Sequence, residues 1–198
     1  MNKHTFSLSK VPGWVYTVLV FGFLYLTGLH TEAIAQVQRL MLFTGIMQPD
    51  LPESTEKATT EVAGTGFKMQ TLDGKTVNFD SLKGKVIFLN IWATWCPPCV
   101  AEMPGIQSLY NKVNSDKIAF VMLSVDEGGP AKVKRFIERK NYTFPVYLPA
   151  GQLPQEFYSS SIPTTFIISP DGKIVTRHEG MANYDTEEIR NFLLDLAR

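Results

Sequence analysis

Hydrophobic positions along the chain fall into three regimes. From Val11 to Leu29, nineteen consecutive residues are almost wholly apolar or small and none is charged. As a helix, such a run just crosses a hydrocarbon core. Ile34, Val37, Leu40, Met41 and Leu42 then recur at helical spacing as far as Thr44. Three readings stay open for this helix: a juxtamembrane amphipathic element, a continuation of the apolar run, or packing on a folded domain. Gln48 to Gly64 carries Pro49, Pro52 and a run of Ser, Thr, Glu and Lys, a composition that builds no core and predicts a flexible tether.

From Gly66 the pattern alternates between strand and helix. Phe67–Thr71 and Thr76–Phe79 flank Asp73-Gly74, which predicts a hairpin. Lys85–Trp92 and Ile118–Val125 are short apolar runs of the kind buried on both faces of a sheet. A helix is expected from Pro97 to about Val113, and another around Val133, Phe136 and Ile137. Thr165–Ile168 and Ile174–His178 predict two strands joined by a tight turn at Pro170-Asp171-Gly172. Asp185 and Glu188 predict the start of a last helix lined by Ile189, Phe192, Leu193 and Leu196. This order implies an α/β domain with a mixed sheet covered by helices. The organisation expected is therefore 1–32 as N-terminus and signal anchor, 33–64 as juxtamembrane helix and tether, and 65–198 as the folded domain.

Charge assigns sides to the N-terminal segment. Lys3 and Lys10 precede it, whereas acids outnumber bases from His30 to Gly66. Positive residues stay in the cytoplasm, so the folded domain is expected outside, on a single-pass inner-membrane anchor. Trp14, Tyr16 and Tyr25 are candidate interface anchors. The alternative is a signal peptide cut after Ala33-Ile34-Ala35, leaving a soluble periplasmic domain; the apolar run is longer than a usual signal peptide, which favours the anchor. Formal net charge is zero without a basic block, so nucleic acid is not an expected partner.

Only two cysteines occur, Cys96 and Cys99. Two residues three apart cannot staple a scaffold and are too few for a structural zinc site. No metal or cofactor is expected. Trp92-Ala-Thr-Trp95-Cys96-Pro97-Pro98-Cys99 falls where a buried strand turns into a helix. Cys96 is placed at the helix N-cap with Pro97 at the first helical position. There the unpaired backbone N–H groups and the helix dipole favour a thiolate. Cys96 is expected to be exposed and to attack a substrate disulfide, and Cys99, one turn deeper, to resolve the mixed disulfide. Pro97 and Pro98 offer the thiolate no N–H, which implies a modest pKa depression and a reducing or intermediate potential.

On these residues, residues 66–198 resemble the TlpA/ResA-type thioredoxin-like oxidoreductases, which are exported and commonly membrane-anchored. The resemblance is carried by Leu72-Asp-Gly-Lys-Thr, Leu82-Lys-Gly-Lys-Val, Asn90-Ile-Trp-Ala-Thr-Trp-Cys-Pro-Pro-Cys, Glu102-Met-Pro104 and Ile162-Pro-Thr-Thr-Phe-Ile-Ile. It implies a thioredoxin-like fold with an N-terminal β-hairpin extension and an extra segment over Asp126–Pro149. It also implies that Ile162-Pro163-Thr164 is the cis-proline loop, holding substrate opposite the dithiol with Trp95, Pro97 and Pro98 at the rim. Glu102 is implied as the carboxylate that tunes the cysteines, and Pro104 as a kink in their helix. Asn90 departs from thioredoxins, which commonly carry an aspartate there; Asn takes up no proton, so that role passes to Glu102. A membrane electron donor of the CcdA/DsbD type, disulfide-containing exported proteins as substrates, and cytochrome c maturation as a task follow by analogy. Thiol peroxidase chemistry and a non-enzymatic client-binding module are the competing classes. Thr94 lies two residues before Cys96 instead of three, against the first, and the complete dithiol argues against the second.

Overall fold

The structure is a computed structural model that describes residues 12–27, 29–43, 49, 62–113 and 115–198. Its elements, in order, are helices α1 (Gly13–Thr27) and α2 (Leu29–Phe43), strands β1 (Lys68–Thr71), β2 (Thr76–Asn78) and β3 (Val86–Trp92), helix α3 (Pro97–Val113), strand β4 (Ile118–Ser124), helix α4 (Gly129–Lys140), strands β5 (Val146–Pro149), β6 (Thr164–Ile168) and β7 (Ile174–Glu179), and helix α5 (Glu187–Leu196).

All seven strands form one mixed sheet in the order β2-β1-β5-β4-β3-β6-β7. β3, β4 and β5 are parallel neighbours, while β6 and β7 close one side antiparallel and the hairpin β1–β2 closes the other. β3 is buried at all seven positions, as a run apolar at every position but Asn90 requires of a central strand. Its alternate residues feed two cores. Phe88 and Trp92 join the helices, with Phe88 stacked on Phe120 and Trp92 against Phe136 of α4. Ile87, Leu89 and Ile91 point the other way, towards Phe67, Phe79, Phe157 and Phe166. Apolar residues of α3, α4 and α5 all pack in the first core, whereas short 3-10 turns at Phe79–Leu82 and Gln155–Phe157 cover the opposite face. Among the described residues, the α-helices of this domain therefore cover one face of the sheet.

Gly74 and Gly172, at φ +85° and +86°, make the two predicted turns by adopting backbone that side chains disfavour. The segment Asp126–Pro149 is built into the sheet: α4 and β5 complete a strand–helix–strand crossover that continues the parallel run. β5 is short and alternates buried and half-buried residues, which hid it in the sequence. The start of the last helix moves by one residue. Thr186, not Asp185, is its N-cap, accepting from the Ile189 N–H at 3.3 Å, while Asp185 pairs with Lys112 of α3.

The N-terminal region departs most from expectation. α1 spans 15 residues, about 22 Å at 1.5 Å per residue, short of a hydrocarbon core of about 30 Å. The chain then turns by 92° into α2, and among the described residues no single helix is long and apolar enough to cross a membrane. α2 packs on the folded domain, the third of the readings its sequence left open. Ala35 and Leu42 are buried in the first core, and Glu32 meets Arg139 and Lys140 at the end of α4 at 3.2 and 2.6 Å. The tether expected over 48–64 lies mostly outside the described residues. Its end is docked: Ala63 is buried and its N–H donates to the Gly172 carbonyl, and the Gly64 N–H donates to Glu156.

Candidate active site

The site is assembled where β3 ends and α3 begins. β3 carries Trp92 to the carboxyl edge of the sheet, the chain turns at Thr94 and Trp95, and α3 starts at Pro97. Cys96 and Cys99 form a disulfide with Cα atoms 5.3 Å apart. The Cys96 carbonyl accepts the first helical bond, from the Val100 N–H at 3.0 Å. Cys96 Sγ accepts from the Cys99 N–H at 3.2 Å, as an N-cap side chain accepts from the third helical residue. Because prolines fill the first two positions, this is the one N–H of the first three helical residues that can face the sulfur.

Opposite the disulfide stands the loop before β6. The Ile162–Pro163 peptide is cis, and the Ile162 carbonyl oxygen lies 3.7 Å from Cys96 Sγ. Pro163 is buried, Ile162, Pro97 and Pro98 are half-buried, and Trp95 stands 55 % exposed at the rim. Trp95, Cys96, Pro97, Pro98, Cys99, Ile162 and Pro163 are thus brought together. One expectation changes. Cys96 is only 3 % exposed, so in this oxidised form both cysteines are recessed. Thr164 turns its side chain inward, donating to the Ser161 carbonyl at 2.7 Å and bonding Ser159 Oγ, so its hydroxyl braces the loop.

Glu102, one turn beyond Cys99, is buried beneath α3. It accepts from Asn90 Nδ2 at 2.8 Å and from the Ala182 N–H at 3.2 Å. Burial outweighs these bonds and lifts its carboxyl from 4.5 to about 8, so it holds its proton at neutral pH. Asn90 also donates to Thr165 Oγ1 at 2.9 Å, tying β3, α3 and β6 into one polar knot. Tyr184 is buried nearby, its phenol pushed well above the ordinary value by burial. Among the described residues, neither sulfur bonds Glu102. The carboxyl instead borders a cavity of about 300 Å³ whose walls include Pro104, Asn183 and, from α2, Arg39 and Leu42. α3 runs through Pro104 without interruption.

Sequence reasoning missed the role of Asp126. At the end of β4 its buried carboxylate accepts from the Thr94 N–H at 2.7 Å, Thr94 Oγ1 at 2.6 Å and Ser124 Oγ at 3.0 Å, and pairs with Lys132 at 2.9 Å. Burial opposes its charge, but these bonds outweigh it and hold the carboxyl below the ordinary range. Asp126 thereby pins the loop that carries Trp95 into Cys96. The available signal was an acid at the carboxyl end of a buried parallel strand, where sites of open α/β sheets gather.

The chain is similar in sequence and fold to known proteins. The Redoxin family model matches residues 52–193, well over half of the chain. Thiol-disulfide oxidoreductase ResA of Bacillus anthracis is 38% identical over 121 residues, covering 61% of this chain and 69% of that protein. ResA of Bacillus subtilis (strain 168) is 37% identical over 110 residues, 55% of this chain and 61% of that protein. Among solved structures, StoA from Bacillus subtilis superposes with a TM-score of 0.54 at 29% identity, over 67% of this chain and 96% of that one. A putative thiol:disulfide interchange protein DsbE from Chlorobium tepidum gives 0.58 at 26% identity, over 67% and 93%. With its own cysteine pair in the geometry that thiol exchange requires, the chain belongs to the ResA/TlpA-type thiol-disulfide oxidoreductases within the redoxin family.

Proposed function

We propose that this oxidoreductase reduces disulfides of exported proteins, working from a membrane tether outside the cytoplasm. The observation that carries the direction is the helix start: one N–H, from Cys99, reaches Cys96 Sγ, because Pro97 and Pro98 have none to give. A thiolate so sparsely stabilised leaves the reduced form less favoured than in strong oxidants, and electrons flow out to substrate.

In the reduced enzyme the Cys96 thiolate attacks a substrate disulfide, forming a Cys96–substrate bond and releasing one substrate thiolate. Cys99 then attacks Cys96 Sγ, the second substrate thiolate leaves, and the Cys96–Cys99 bond seen here forms. Two electrons pass to the substrate. Cys99 loses a proton in this step, and the buried Glu102, one turn beyond it, is the acceptor when ionised, its carboxyl then keeping that proton up to about pH 8. A protonated Glu102 beside an oxidised pair is the state that step leaves behind. A membrane dithiol donor of the CcdA/DsbD type restores the reduced form, and apocytochrome c is one substrate that fits by analogy with the family.

The tether rests on the charge asymmetry of the N-terminal segment and on α1, whose apolar side chains are exposed around the helix. Cleavage after Ala35 would cut α2 in half and remove Glu32 from its contacts with α4, which supports retention of the segment.

Equilibration of the dithiol with dithiothreitol and glutathione buffers tests the direction. A potential near that of thioredoxin, about −270 mV, is expected, and one near the strongly oxidising value of about −120 mV refutes it.

A further inference from the structure

Helix α2 presents its polarity in reverse. Towards α3 and α4 it turns Thr31, Glu32, Gln38 and Arg39 around the small contacts of Ala35 and Leu42. Its outward half carries Ile34, Val37, Leu40 and Met41, which are 46–68 % exposed. On that half Gln36 is the one polar residue among those whose side chains are described. A helix on the surface of a protein in water has the opposite arrangement. An apolar outer face and a polar inner face suit a helix whose outside medium is lipid.

Two further observations name that medium. α1, which precedes α2 across the 92° turn, also exposes large apolar side chains such as Trp14, Phe21 and Leu26, so α2 follows directly on a helix with an apolar surface of its own. At the corner, Thr27 and Thr31 line a groove of about 350 Å³ with Lys132, Arg135 and Arg139 of α4. Lys132 is matched by Asp126 and Arg139 by Glu32, but Arg135 has no acidic partner among the described residues. A cation at that level meets the phosphates of a bilayer surface.

We infer that α2 lies in the bilayer interface, its Ile34–Val37–Leu40–Met41 face among the lipids and its inner face clamped to α3 and α4. The inference rests on the reading of α1 as the membrane-inserted element and deepens it: the tether is a rigid bracket, not a loose leash. Trp95 and Thr94 line the same groove as Thr27 and Thr31, so the bracket holds the rim of the active site beside the membrane surface. Disulfides presented near that surface are the ones within reach.

The test uses the full chain with both cysteines changed to serine, reconstituted in phosphatidylethanolamine–phosphatidylglycerol vesicles. Single nitroxide labels are placed at Val37→Cys, Leu40→Cys, Leu19→Cys in α1 and Lys75→Cys in the distant hairpin. All four sites are exposed or in a turn, so the labels leave the core untouched. Labels at 37 and 40 are expected to collide several-fold more with oxygen, and several-fold less with a water-soluble nickel reagent, than the label at 75. Their depth is expected at about 5–10 Å below the phosphates. A label at 37 as nickel-accessible as that at 75, with the label at 19 in lipid, overturns the bracket and leaves the tether standing. A nickel-accessible label at 19 overturns both. Labels at 37 and 40 shielded from both reagents mean that protein, a second copy of the chain, covers the face, which also overturns it.

Discussion

Glu102→Gln isolates the most consequential titration in the protein. The folded carboxyl keeps its proton to about pH 8, against 4.5 for an ordinary one, because burial opposes the charge. Between those values the native state binds a proton that the unfolded chain has released. Stability contributed by the protonated group is thus fully present below about pH 4.5 and is lost as pH rises through 8. The slope is about 1.4 kcal/mol per pH unit, and over the whole interval the loss is on the order of 5 kcal/mol. Glutamine keeps the shape without the charge. Its Nε2 faces Asn90 if that amide turns over, presenting Oδ1 to glutamine while Thr165 Oγ1 donates in place of accepting. Urea unfolding of the oxidised protein in mild detergent, in steps from pH 5 to 9, measures the difference between wild type and variant. That difference is expected to move in the variant's favour by about 4 kcal/mol across the range. A difference independent of pH would mean that burial does not raise the folded carboxyl, and the claim that Glu102 keeps the proton of Cys99 at neutral pH would fall.

Other outcomes follow from the same geometry. Cys99→Ser is expected to accumulate a mixed disulfide through Cys96 with a substrate protein, visible on non-reducing gels and absent from the double Cys96→Ser/Cys99→Ser variant; no adduct would reverse the assigned roles. Asp126→Ala leaves the Thr94 N–H and hydroxyl and Ser124 without their acceptor, and is expected to cost about 2–4 kcal/mol and to slow disulfide exchange. Because its folded pKa is depressed, the stability it gives is present above the ordinary value of 3.8 and lost as pH falls through the folded value, so the gap to wild type should close in acid. Phe88→Ala removes a fully buried ring stacked at 5.0 Å on Phe120 and is expected to cost about 3–5 kcal/mol in chemical denaturation. Ala35→Arg forces a long cation into the contact of α2 with the domain, and limited proteolysis should then cut α2 first.

What the chain announced by itself was whatever depends on neighbours in sequence. The buried runs of β3 and β4, the turns at Gly74 and Gly172, the extent of α3 and the dithiol at its start all arise from local periodicity and local backbone rules. The resemblance added the cis-proline loop, which lies where it was expected. What only the tertiary structure decided involves residues far apart. Asp126 and Thr94 are 32 positions apart, Asn90 and Thr165 75 apart, and Glu32 and Lys140 108 apart, and none of these bonds leaves a trace in any window of sequence. Glu102 reads as an ordinary helical acid until the sheet, the Ala182 loop and α3 exclude water from it. The recess of Cys96 likewise depends on the Ile162 loop folding back over it. Local pattern determines which element forms; the environment that sets a side chain's charge and reach exists only once distant elements have packed.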